Sequence, residues 1–207
     1  MARMTPADRR AAIVDAALQV ILRKGLAATT VRDIAEHLGC SSGLVHHYFE
    51  SMDDLLAEAF AQAAAADLAS ARAAAELGVD PIDRLRRFIA SYSRAEANRA
   101  QDWSFQLWLD AWSEAVRRPS VGRTSRRLNE QWHALLAELI TDARDAGMLT
   151  CTDPGTTAWT LLSLLDGLAL QAVAHPGTID RGSVIAWASA VAERELGLAP
   201  GTLLAPA

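Results

Sequence analysis

Apolar positions recur at three- and four-residue spacing along most of this chain, and runs of alternating β-branched residues bounded by turns are nearly absent. The pattern predicts an all-α protein of about nine helices. Ile13, Ala17, Val20 and Ile21 share one face of a first helix, opened by Thr5 as N-cap with Pro6 behind it and closed by Gly25. Thr30-Val-Arg-Asp33 approximates a capping box, with Asp where Glu or Gln is usual. It starts a short helix with Val31, Ile34, Ala35 and Leu38 on one face, and Gly39 supplies the left-handed residue that ends it. A second short helix is predicted over 42–48. The alanine-rich stretch 52–76 reads as one long helix anchored by Leu55, Leu56, Phe60 and Leu68, because alanine has the best helix propensity. Further helices are predicted over 81–100, 103–117, 121–146, 155–174 and 182–196, with Gly and Pro between them. The expected division is a three-helix domain at 1–51, a larger helical bundle at 52–198, and a frayed tail at 199–207.

The helix predicted over 155–174 is apolar on nearly every face and must be covered from two sides. A two-fold partner is the simplest cover, meeting Leu161, Leu164, Leu165, Leu168 and Ala172 together with Ile185, Ala188 and Val191 of the last helix. Ser163, Asp166 and Gln171 interrupt this stretch, which reads as too short and too polar for a membrane span. The N-terminus has charge but no apolar run after it, so no signal peptide is expected and the predicted location is the cytoplasm.

Composition adds mostly exclusions. Over 207 residues the net charge is −5, so a case for nucleic acid must come from a local motif. The two cysteines, Cys40 and Cys151, read as small apolar fillers, and no metal or cofactor is expected. The local motif is the pair of short helices, whose spacing is that of a helix-turn-helix. Ala35 is small enough for a close crossing and Ser41 caps the second helix, leaving its free N–H groups to a phosphate. Val45 and Phe49 face inward, so Ser42, Gly43, Leu44, His46 and His47 face outward, where such a helix reaches the major groove. A shared metal on His46 and His47 is excluded, because adjacent helical residues diverge by about 100°.

Aromatic residues crowd the larger domain. Phe105, Trp108 and Trp112 line one face of their helix and Trp103, Gln106 and Asp110 another, with Trp132, His133 and Trp159 further on. Such a stripe serves either as core or as the wall of a pocket. As a pocket it would suit an apolar or cationic small molecule, with Asp110 or Asp166 supplying the counter-charge. No nucleophile–base motif, phosphate loop or metal-ligand spacing supports an enzyme.

Thr30, Ile34, Ala35, Gly39, Ser41, Gly43, Tyr48 and Phe49, followed by Ser51 and Leu55, resemble the DNA-binding domain of TetR-family transcriptional regulators. The larger domain resembles the C-terminal domain of the betaine-biosynthesis repressor (BetI-type) subgroup. Its markers are WLDAW ending at Trp112, RRLN ending at Asn129, LAELI ending at Ile140, Asp153–Pro154, and LDGLALQ from Leu165 to Gln171. The resemblance implies that Ser42 and Leu44 read bases and that Thr29, Thr30, His47 and Tyr48 hold phosphates. It also implies a homodimer joined through the last two helices, a palindromic operator in double-stranded DNA and a small-molecule effector, with the long helix 52–76 as lever. A regulator controlled by a protein partner or by its own concentration is the alternative. Two positions depart from the family: His46 stands where tyrosine is usual, and Met52 where lysine is usual. Residues 1–51 carry six cations (Arg3, Arg9, Arg10, Arg23, Lys24, Arg32) and five anions (Asp8, Asp15, Asp33, Glu36, Glu50), a net of +1 that predicts modest non-specific DNA affinity.

Overall fold

The computed structural model describes residues 4–92 and 102–204. Among them are nine helices and no strand. The first four are α1 (Pro6–Lys24), α2 (Val31–Leu38), α3 (Ser42–Tyr48) and α4 (Met52–Glu76). Then come α5 (Pro81–Ser91), α6 (Asp102–Ala115), α7 (Pro119–Asp145), α8 (Pro154–Ala174) and α9 (Arg181–Glu195). The part of the helix predicted over 81–100 that follows Tyr92 falls outside the described residues. At 21 residues α8 is longer than its polar interruptions suggested, and by length and composition alone it could cross a membrane. In the fold it is a packed helix, with Leu161, Leu162, Leu165 and Ala169 buried.

The chain divides into two compact units, and not at residue 51. The first holds residues up to Ala66 together with Gln106–Leu128; the second holds Asp67–Phe105 and everything from Asn129. The physical reason lies in α4, whose Leu55, Leu56, Ala59 and Phe60 are fully buried. Three short helices leave too little apolar surface to close a core of their own, so the first unit takes in half of α4 and most of α6. Within it α1 packs on α2 and α2 on α3. Polar contacts tie α1 to α4: Arg10 pairs with Glu58 and lies over the Phe49 ring at 4.5 Å, and Gln62 donates to Asp15 at 2.6 Å.

In the second unit α9 packs against both α5 and α8. The tail expected to fray is instead seated on α9 as far as Leu204. The buried carboxylate of Glu193 accepts the Gly201 N–H at 2.9 Å and the Leu203 N–H at 2.7 Å, and the Leu203 side chain is 1% exposed. Periodicity could not reveal this, because the tail's backbone donors are satisfied by a side chain of another element rather than by a ladder of their own. Glu193→Ala leaves both N–H groups without that acceptor. It is expected to cost about 1–3 kcal/mol in urea denaturation and to make the Leu203 amide exchange with solvent at the rate of an unprotected one.

Candidate functional site

The helix-turn-helix face is assembled from local signals. Thr30 and Asp33 form a reciprocal capping box, and the αL conformation of Gly39 (φ 69°) turns the chain toward α3. Ser41 then caps α3, accepting the Leu44 N–H at 3.3 Å. Val45 and Phe49 are buried, Ser41, Gly43, His46 and His47 are exposed, and Ser42, Leu44 and Tyr48 are half-buried. The His47 and Tyr48 rings meet edge to face at 5.2 Å. Thr30 is exposed at the same turn, but Thr29 is not available to a phosphate: it is 3% exposed, and its hydroxyl donates to the Gly25 carbonyl at 2.8 Å. Thr29 organises the loop between α1 and α2 rather than touching a ligand.

Two of the domain's cations are already engaged, Arg10 by Glu58 and Lys24 by Asp33 at 2.7 Å. The Lys24 ammonium, with the Thr30 hydroxyl, holds the Asp33 carboxyl down to about 2. At the start of α4, where Met52 replaces a cation, the neighbouring acids are Asp53 and Asp54. Arg118 donates to Asp53 at 2.6 Å and Ser120 donates to Asp54 at 2.7 Å, so the corner between α6 and α7 occupies both acids.

The residues considered as a pocket do not form one group. Trp108 is buried in the first unit, edge-on to Phe60 at 5.1 Å and 5.7 Å from Trp112. Asp110 belongs to the same unit and is no counter-charge for a ligand. Its Oδ2 accepts the Leu26 N–H at 3.0 Å, just past the end of α1, while Oδ1 takes the amide of Gln106 at 3.3 Å. A Cβ at Gly25 would sit 3.2 Å from that Oδ2, and the residue's φ of 82° already disfavours any side chain. His133 donates from Nε2 to the Gly155 carbonyl at 2.9 Å and stacks on the part-exposed Trp159 at 4.2 Å, which fastens α7 to the start of α8. The Trp103 side chain lies outside the described residues.

What remains converges in the second unit around two residues the sequence reading missed, Tyr92 and Phe88. The Tyr92 ring lies 5.9 Å from Phe105, 5.8 Å from Trp132 and 6.1 Å from Phe88, and Phe88 lies 5.9 Å from Trp132. The Tyr92 hydroxyl donates to Asp166 Oδ1 at 3.4 Å, a long and therefore weak bond. Burial pushes the Asp166 carboxyl up to about 7. The Tyr92 phenol is raised well above its usual value, by burial first and then by the nearby Asp166 and Asp67 carboxylates. Aromatic faces around a poorly partnered carboxylate form the environment that stabilises an organic cation, through ring quadrupoles and direct charge. Tyr92 could not be found from spacing, since it caps α5 beyond the last periodic apolar residue.

On α8 and α9, Leu161, Leu165 and Ala188 are buried by the chain's own helices and are not free for a partner. Leu164, Leu168, Ala172, Ile185 and Val191 are half-buried, and Trp159 and Trp187 are 40% and 51% exposed.

Residues 13–59 match the bacterial regulatory proteins of the tetR family, and residues 81–197 match the C-terminal domain of BetI-type transcriptional repressors. The HTH-type transcriptional regulator BetI of Burkholderia lata is 32% identical over 174 residues, covering 83% of this chain and 86% of that protein. Among solved structures, a transcriptional regulator from Pseudomonas aeruginosa PAO1 has a TM-score of 0.77 at 27% identity, covering 93% of each chain. A regulator from Saccharomonospora viridis in complex with choline has a TM-score of 0.79 at 23% identity, covering 92% of this chain and 98% of that one; at this identity the likeness is one of fold.

Proposed function

Because this chain belongs to the TetR family of bacterial transcriptional regulators and carries a BetI-type repressor domain, we propose that it acts as a homodimer on a palindromic operator and is released by a small organic cation. The observation that carries the effector class is the set of aromatic rings at Phe88, Tyr92, Phe105 and Trp132 beside the Asp166 carboxyl. The choline bound by the Saccharomonospora viridis regulator is consistent with that chemistry.

In this reading the dimer forms through the apolar residues left at the surface of α8 and α9, with Leu164, Leu168, Ile185, Val191 and Trp187 against their two-fold copies. The two copies of α3 then enter successive major grooves about 34 Å apart. Such a target places the protein in the cytoplasm. Helix α6 carries Phe105 at the effector site and Asp110 on the backbone of the α1–α2 loop. These residues are five positions apart, about 7.5 Å along a helix axis. A shift of α6 on effector binding therefore reaches the DNA-binding helices through one carboxylate, beside the long lever of α4. Full release needs an effector that prefers the released state by about 10⁴-fold.

Selection from a random DNA pool should recover a two-fold-symmetric sequence. On it, Leu44→Ala is expected to relax discrimination at one base pair per half-site by about 1–3 kcal/mol. Tyr48→Phe should instead weaken every sequence alike, the signature of a phosphate contact. Operator affinity and selectivity unchanged in both variants would refute this assignment of the DNA-reading face.

A further inference from the structure

The buried nitrogen of Trp132 has no function in the fold. This tryptophan is 8% exposed, and among the described residues its Nε1 is the one buried side-chain polar atom without a hydrogen-bond partner. Buried indole N–H groups ordinarily find an acceptor, so an orphan marks either a cost to folding or a donor held for something else. Its ring packs edge-on against Tyr92 and Phe88, inside the aromatic set next to Asp166.

We infer that the Trp132 indole N–H is the specificity-determining donor of the effector site, reading a neutral oxygen on the cation, so that the effector is a hydroxyl- or carbonyl-bearing organic cation and not a bare alkylammonium. The inference rests on the proposed effector site and sharpens it. Aromatic faces and a carboxylate recognise positive charge but cannot distinguish one small alkylammonium from another. A methyl group placed against the indole N–H leaves that donor desolvated and unpaired, whereas an oxygen satisfies it. A carboxylate could satisfy it too, but would bring a second negative charge beside Asp166 and Asp67, the two carboxylates already acting on Tyr92. The neutral oxygen is therefore favoured.

The test compares three probes by calorimetry on the full chain: choline, n-propyltrimethylammonium (methyl in place of the hydroxyl) and tetramethylammonium. The wild type should bind choline at least tenfold more tightly than the propyl isostere, a difference of about 1.4 kcal/mol. Trp132→Phe should abolish that preference by weakening choline alone, with the isostere's affinity unchanged. A second readout uses the unaltered protein labelled with 15N-tryptophan. One of the six indole N–H signals should move downfield with choline and stay in place with the isostere. Binding of all three cations with no preference, or a preference that survives in Trp132→Phe, overturns the inference and leaves the cation site standing. Failure of all three to bind overturns the effector reading and this inference with it.

Discussion

Replacing Phe60 by alanine should cost about 3–5 kcal/mol of stability and abolish operator binding without touching a residue of the DNA-reading face. Phe60 is fully buried in the first unit, where its ring meets Trp108 edge to face at 5.1 Å. Trp108 is in turn wedged against Trp112 at 5.7 Å, so removal of one ring opens a cavity that neighbouring indoles are too large and too rigid to fill. Typical domains are stable by only about 5–15 kcal/mol, so the loss takes a large share of what holds α1, α2 and α3 in place. Urea unfolding followed by tryptophan fluorescence measures the first part and operator anisotropy the second. If Phe60→Ala retains wild-type stability, the aromatic wedge is not the core of this unit and Trp108 returns to consideration as a ligand contact.

Asp166→Asn is expected to lower cation affinity by about a hundredfold, within the range of about 2–5 kcal/mol for losing one partner of a desolvated charge pair. The wild type should also bind the cation more tightly as pH rises. Below about 7 the Asp166 carboxyl is protonated by burial and neutral, so the cation must displace a proton. Affinity should therefore climb by up to about tenfold per pH unit on approaching 7 and level off above it. In Asp166→Asn the profile should be flat.

Stability has the opposite dependence. A carboxyl raised from 3.8 to about 7 keeps its proton in the folded state where the unfolded chain has lost it, so this group makes the unliganded protein less stable as pH rises from about 4 to 7. Asp166→Asn should remove that contribution and leave the unliganded protein more stable above pH 7 than the wild type. A thermal melt showing the reverse, or a wild-type binding profile without slope, would remove Asp166 from the effector site. Loss of ligand affinity together with gain of stability is the behaviour of a residue retained for binding rather than for folding.

How much of this was legible beforehand depends on the range of the interactions. The capping boxes at Thr5–Asp8 and Thr30–Asp33, the N-cap at Ser41 and the left-handed Gly39 are settled within four residues of chain, and each stands where the sequence placed it. The inward positions of Val45 and Phe49 follow from helical periodicity in the same way. Where reading failed, a side chain was bound by a partner far away in sequence. Asp110 looked like a ligand group until Leu26, 84 positions away, took its oxygen. Thr29 looked like a phosphate contact until it proved buried against its own loop, and the tail looked frayed until Glu193 bound it.

The sequence by itself determined the helices, their caps, the helix-turn-helix and the family, because these rest on local hydrogen bonds and on the period of the apolar residues. Tertiary structure alone decided which aromatic residues are core and which surround Asp166. Trp108 and Trp132 are each a tryptophan on one face of a helix, and composition and spacing treat them alike. What separates them is packing: one closes a core against Phe60, while the other keeps an indole N–H without an acceptor beside Tyr92. Side chains distant in sequence meet only when the helices pack, and the burial that raises Asp166 exists only then.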